Sequence, residues 1–418
     1  MIIDPKKPLI NDIPNSWAYK KASELFSESK ENNRPELKLY SVTKDRGIIP
    51  QSESNKRDIS SSNREKYKII KPNYIVYNTM RMWQGISAVS QNTGIVSPAY
   101  TVLKPIKNVN TQFIGYLFKY QPMINVFHRY SQGLVNDTLN LKYQNFKDIL
   151  IPVPPINEQQ KIAAILSSVD DAIEKTDQII EQTETVKKGL MQELLTRGID
   201  HTEFKDTPVG TIPKEWDVLN FKDVFDRITT KNVNNNQNVL TISGEQGLIS
   251  QLEYFNKSVS SKNLKNYIHL KKGDFAYNKS YSNGYPLGAI KNLERYDEGI
   301  VSTLYICFRL KDTYNLGFYK YYFDSPYWHR QVYSIAPEGG RSHGLLNVGV
   351  KDFFEILIPV PPIEEQKKIN EILYSVDQKN ITENNKLENL QNIKQGLMQQ
   401  LLTGRVRVKV DDSEEVLS

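Results

Sequence analysis

The stretch ILIPVPPINEQQKIAAILSSVD starting at Ile149 returns as ILIPVPPIEEQKKINEILYSVD starting at Ile356, 207 residues later. A shorter block, GLMQELLT from Gly189, returns as GLMQQLLT from Gly396. No other feature restricts the fold as strongly: a period of about 200 residues is too long for a solenoid and marks a duplicated domain. Looser matches extend the repeat along the chain. DIPNSW at Asp12 matches TIPKEW at Thr211, LYSVTKDRGIIPQ at Leu39 matches LTISGEQGLISQ at Leu240, and YKIIKPNYIVYN at Tyr67 matches YIHLKKGDFAYN at Tyr267. GIVSPAY at Gly94 matches GIVSTLY at Gly299. The offset drifts from 199 to 207, so the second copy adds loop residues, notably between Asn278 and Gly299, to a retained framework.

Within each copy the first 150 or so residues carry strand and turn signals. YIVYN, YTVL, FAYN and LYICFRL are β-branched and aromatic runs, punctuated by KDRG, QNTG, SNGYP and EGG. The adjacent prolines of IPVPP continue neither a ladder nor a helix interior, so each β-rich domain ends there. Past them the period turns helical. Asn157 with Gln160 fits a capping box, and apolar residues recur at Ile162, Ile165, Val169, Ala172, Ile179, Val186 and Leu190, flanked by Leu166, Ile173, Ile180 and Leu194. The second copy places Ile369, Ile372, Leu373, Val376, Leu387, Leu390, Ile393, Leu397 and Leu401 in the same way. Some 40 residues at about 1.5 Å each make a rod of roughly 60 Å. Such a stripe needs cover, which the two rods supply to each other as an antiparallel coiled coil, or which each domain supplies to its own rod.

The expected fold is therefore α+β: two β-rich globular domains in tandem pseudo-two-fold repeat, each followed by a long helix, the two helices packed as an antiparallel coiled coil. The expected boundaries are 1–152 and 201–359 for the domains, 153–200 and 360–405 for the helical regions, and 406–418 for a polar tail.

The helical repeat is uneven. From Ile149 to Asp170, 17 of 22 positions match their partners at +207, and from Gly189 to Thr196 it is 7 of 8, yet from Asp171 to Lys188 only 2 of 18 agree. Helix pairing asks only for apolar character. Near identity at both ends points to contacts outside the coil, two equivalent sites for two copies of one partner. Gly189 and Gly396 sit inside helical patterns at a cost of about 1 kcal/mol each relative to alanine, which implies a close backbone approach or helix termination.

Composition removes several classes of function. Cys307 is the only cysteine, which excludes a disulfide framework and a thiolate metal cluster within the chain; its apolar neighbours make it buried strand filler rather than a reactive thiol. Among His128, His201, His269, His329 and His343 none is paired at i, i+4, and the phosphate-loop, dinucleotide, zinc-protease and nucleophile-elbow patterns are all missing. The nearest string to a base-methylating loop is SPAY at Ser97, whose counterpart STLY marks it as a strand start. Catalysis by this chain is not expected. No run of about 18 apolar residues exists, so a cytoplasmic protein without a membrane partner is expected. Lys+Arg outnumber Asp+Glu by 22 to 12 in residues 1–156 and by 19 to 17 in 201–362, whereas acids lead in both helical regions. Two positive surfaces facing a polyanion fit that distribution.

Two variable domains, each followed by a near-identical ILIPVPPI.EQ helix ending in GLMQ.LLT, resemble the specificity subunit of type I restriction-modification systems, from about Asp12 to Arg405. The resemblance implies two target recognition domains, each reading one half of an asymmetric bipartite site on double-stranded DNA, with the paired helices as the ruler between them. It implies a non-catalytic subunit that binds no cofactor itself. Two modification subunits would use S-adenosylmethionine to methylate adenine, and restriction and translocation subunits would use ATP and Mg. Docking of the modification subunits would fall on the strictly repeated helical residues Glu158, Gln159, Ile162, Leu190 and Met191, with Glu365, Gln366, Ile369, Leu397 and Met398.

For base reading, Arg or Lys suits guanine and Asn or Gln suits adenine, from polar loops between the framework matches. In the first domain such loops offer Lys44, Arg46, Arg81, Trp83, Gln84 and Arg129. In the second they offer Lys279, Tyr281, Asn283, Tyr285, Arg341 and His343. Trp83, Tyr281 and Tyr285 fit a core position equally well.

Overall fold

The computed structural model describes residues 13–54, 63–106, 108–244, 246–255, 263–280, 285–336, 341–342 and 345–409. Two compact units emerge, Met1–Gln178 with Asn385–Ser418, and Ile179–Asn384. The division cuts both long helices, Ile156–Leu194 and Ile363–Leu401. Each unit thus holds one β-rich domain, the first half of the helix that follows it, and the second half of the other helix.

Both domains build the same antiparallel four-stranded sheet. In the first unit its order is Phe26–Ser29, Tyr100–Pro105, Ile75–Asn78, Ser87–Val89. In the second it is Phe225–Arg227, Ile306–Leu310, Phe275–Asn278, Ala289–Asn292. Cys307 lies buried in that second sheet, where loss of solvation pushes its thiol far up. The repeated LIPV is a strand in each copy, pairing with one near the domain's start: Leu150–Val153 with Ala18–Lys21, and Leu357–Val360 with Asp217–Asn220. Each domain is zipped shut at its two ends, and the proline pair then releases the chain into the helix. A proline inside the strand is tolerated because the ribbon has only two strands.

The expected capping box does not form. The first long helix begins at Ile156, and the Pro155 carbonyl accepts from the Gln159 amide at 3.0 Å, so Asn157 already lies in the first turn. A proline beside the helix start loses nothing, since the first amides have no intrahelical acceptor.

The apolar stripe is shared between helix and domain. In the first unit Ile162 and Leu166, together with Leu401 and Leu402 from the end of the other helix, complete a core around Phe113, Phe118, Phe127 and Phe146. In the second, Ile369, Leu373, Leu194 and Leu195 do the same around Phe221, Phe225, Phe308 and Trp328. Within each unit the two helix segments run antiparallel, tied by Asp170 to Lys394 at 2.5 Å in one and by Lys187 to Asp377 at 2.6 Å in the other. Lys187 and Lys394 are one of the two identical pairs in the otherwise divergent middle of the helices. A mutual cover of the stripe alone is not what the residues do: Val186 and Ile393 remain about half exposed.

Gly189 and Gly396 neither end their helices nor meet another backbone among the described residues, so of the readings given to them only approach by a docked partner is left. Both lie within helices that continue to Leu194 and Leu401, and a Cβ at either would find no atom within 4 Å. Nor is the tail from residue 406 merely polar, since Arg407 and Val408 pack on the first unit. Among the described residues no helix is long and apolar enough to cross a membrane.

Candidate nucleic-acid interface

The repeated EQ pairs face inward. Glu158 is 2% exposed; its carboxylate accepts from the Trp17 indole at 3.1 Å and from the Arg407 guanidinium at 2.7 and 2.9 Å. Gln159 next to it accepts from the Asn110 amide at 2.9 Å and donates to the Pro154 carbonyl at 2.9 Å. Asn110 in turn caps the helix Thr111–Phe118. The second unit repeats the arrangement. Glu365 accepts from the Trp216 indole at 2.9 Å, and Gln366 accepts from the Asn315 amide and donates to the Pro361 carbonyl. The positive partner differs: Glu365 meets the imidazole of His201 at 2.9 Å, where Glu158 meets Arg407.

A second repeated anchor lies about three turns further along each long helix. The Tyr116 hydroxyl donates to Asp170 at 2.7 Å, and the Lys394 ammonium that pairs with Asp170 also stands over the Tyr116 ring. Tyr321, Asp377 and Lys187 do the same in the second unit, at 2.8 Å for the hydrogen bond. Burial, with a carboxylate accepting the phenolic proton, drives both tyrosines far above their ordinary range, so both stay neutral donors.

The docking expectation is therefore corrected for the buried side chains among those named. Glu158, Gln159, Ile162, Gln366 and Ile369 are buried, Glu365 is held by Trp216 and His201, and Leu190, Met191, Leu397 and Met398 pack against the cores. Their near identity is explained by seating each domain on its helices. The signal was present in the sequence: the tryptophans of DIPNSW and TIPKEW repeat together with the EQ pairs that they contact.

In the first domain Arg81, Trp83, Gln84 and Arg129 share one surface. The turn after strand Ile75–Asn78 is fixed by the Asn78 side chain, which accepts from the Met80 amide, and by Thr79, whose hydroxyl donates to the Ala99 carbonyl. It ends on left-handed Gly85, where a Cβ would strike Ile124 at 2.7 Å. Trp83 donates to the Met80 carbonyl and sets its ring edge-on to His128, 5.7 Å away, at the end of helix Gln121–Tyr130. The loop that follows is tied to the same turn, with Leu141 donating to the Thr79 carbonyl and Arg81 within 3.8 Å of Asp137. Gln84, His128 and Arg129 are exposed there. Lys44 and Arg46 belong elsewhere, on the turn between Tyr40–Val42 and Ile48–Pro50, whose Gly47 lines a cleft with Tyr116 and Asp170. The Arg46 guanidinium is spent on the Glu53 carbonyl at 2.7 Å.

In the second domain Lys279 is drawn into the fold, donating to the Val348 carbonyl at 3.3 Å. Tyr285 is structural, its hydroxyl donating to the Gly244 carbonyl at 2.9 Å with Lys291 over its ring. Arg341 belongs to a short strand paired with Leu345–Leu346. Tyr281, Asn283 and His343 lie outside the described residues. Missed by sequence reasoning were His128, Leu134 and Val135 in the first domain, and Arg330 and Tyr333 in the second, all exposed. The repeat offset relates helix Gln121–Tyr130 to helix His329–Ile335 and could have found the last two.

Comparison with known proteins places the chain. The type I restriction modification DNA specificity domain is matched twice, over residues 14–185 and 213–392. The MjaX type I restriction enzyme specificity subunit, so named in Methanocaldococcus jannaschii, is 26% identical, with 97% of each chain covered. The MjaVIII specificity subunit of the same organism is 30% identical over 63% of this chain and 64% of its own. Among solved structures, the type I restriction-modification S subunit from M. genitalium superposes with a TM-score of 0.52 at 16% identity, covering 96% of this chain and 99% of that one; this likeness concerns the fold.

Proposed function

Since the chain belongs to the type I restriction modification DNA specificity family, we propose that it directs a methylating and cleaving complex to an asymmetric bipartite site on double-stranded DNA, one half read by each domain. The observation that carries this reading is the contrast within the repeat. The sheet order and the Trp–Glu and Tyr–Asp–Lys anchors to the helices recur, while the turn and loop chemistry differs between domains. Identical seats with different readers suit two unrelated half-sites. Helices that hold each reader in one orientation also suit a duplex, where a half-site moved by a fraction of the roughly 34 Å turn faces away.

The chemistry is assigned to partners. Two modification subunits would bring S-adenosylmethionine, and restriction subunits would bring ATP and Mg. Docking of the modification subunits falls on positions that are both identical in the repeat and exposed. In the first unit these include Lys161, Ser168, Gly396 and Gln399; in the second, Lys368, Ser375, Gly189 and Gln192. A glycine with open space around it costs helix stability for no benefit inside the chain, and a partner backbone approaching closely supplies the benefit.

Exchanging residues 1–150 for those of a relative with another specificity tests the reading. One half-site of the methylated motif changes and the other stays. Alteration of both half-sites overturns the modular account.

A further inference from the structure

The loop between helix Gln121–Tyr130 and Leu141 carries two apolar side chains into solvent, Leu134 fully exposed and Val135 61% exposed. The loop is stiff. Its base is closed by reciprocal backbone hydrogen bonds between Gln132 and Asn140, both 2.9 Å. Thr138 folds back on Val135, its amide and hydroxyl both donating to the Val135 carbonyl at 2.9 Å. Gly133, at φ +154°, lies so close that a Cβ would meet the Thr138 carbonyl at 2.7 Å. A floppy loop can fold apolar residues back against its own domain; this one, pinned at base and tip, holds them out.

The surroundings decide what they face. Arg81, His128 and Arg129 lie beside the loop, with Lys142 exposed just past it, and the one acid on it, Asp137, stands by Arg81. Basic side chains around an apolar tip suit a duplex, phosphates outside and base edges within. In the major groove the one apolar group on a base edge is the thymine C5 methyl, and aliphatic side chains contact it there.

We propose that Leu134 and Val135 form an apolar finger that reads thymine methyl groups in the half-site of the first domain. This rests on the reading of that domain as a DNA reader and adds the base and the residues. In the sequence of the second domain the offset of 207 puts Arg341 where the first has Leu134.

The test uses the full chain assembled with its modification subunit. Methylation mapping gives both half-sites, and the exchange of residues 1–150 assigns one of them to the first domain. Each thymine in it is then replaced singly by deoxyuridine, which removes only the methyl, and duplex binding is measured for wild type and for L134A/V135A. Loss of one buried methyl weakens wild-type binding about fourfold at one or more positions. The variant binds the thymine duplex more weakly, in the same salt-dependent manner, and no longer distinguishes deoxyuridine. A half-site without thymine, deoxyuridine sensitivity that persists in the variant, or a variant that fails only to assemble with the modification subunit overturns the finger and leaves the proposed function intact. A wild-type complex that methylates no motif overturns both.

Discussion

Replacing Arg407 by methionine separates an internal role for Glu158 from a docking role. The carboxylate is 2% exposed and would keep one donor, the Trp17 indole at 3.1 Å. Breaking one side of a fully buried pair costs roughly 3–5 kcal/mol. Here the guanidinium is 47% exposed, so water follows into the gap and the cost falls to about 2 kcal/mol. For a cooperative unit of this size that lowers the midpoint by about 4–8 °C. Scanning calorimetry of the purified chain, without partners, reads the shift, and hydrogen exchange locates it near residues 150–166. Adding Glu158→Gln to Arg407→Met removes the stranded charge and recovers part of the loss, which a double-mutant cycle measures. If the isolated variant melts within about 1 °C of wild type while its association with the modification subunit weakens, Glu158 serves the partner and the internal anchor is wrong.

Tyr116→Phe and Tyr321→Phe each remove a hydrogen bond to a carboxylate, and each loosens its own unit by about 1–2 kcal/mol, seen as faster hydrogen exchange there and not in the other unit. Gly189→Ala and Gly396→Ala meet open space and raise helix stability by about 0.5–1 kcal/mol each, while weakening co-purification of the modification subunit; unchanged assembly contradicts the docking surface. His329 is partly buried against Trp328, and loss of solvation holds its pKa below the ordinary 6.5. The unfolded chain then takes up the proton first, so this residue contributes a loss of stability as pH falls through about 6.5 and none above it. Unfolding midpoints of wild type and His329→Gln, equal in pH slope across that window, contradict the assignment.

The architecture was legible because duplication wrote it twice. Strand order cannot be read from local pattern, but a framework retained at an offset of 199 to 207 had to be the same fold in both copies. The anchors were visible as residues and misread as surface. Glu158 and Gln159 are charged or polar types that are seldom buried, and only tertiary partners from Trp17, Asn110 and Arg407 make their burial affordable. Lys44 and Arg46 failed to join Arg81 for a related reason: turn chemistry marks a loop as exposed without saying which face it shares. Leu134 and Val135 were missed because a search for base readers among polar residues passes over the one apolar edge that DNA presents.

The most direct test of the central claim is single-molecule mapping of adenine methylation in DNA from cells expressing this chain with its modification subunit, against cells that lack this chain. An asymmetric bipartite motif with a fixed gap, present only with this chain, is the expected result. No new motif, with the modification subunit expressed and bound to the chain, contradicts it.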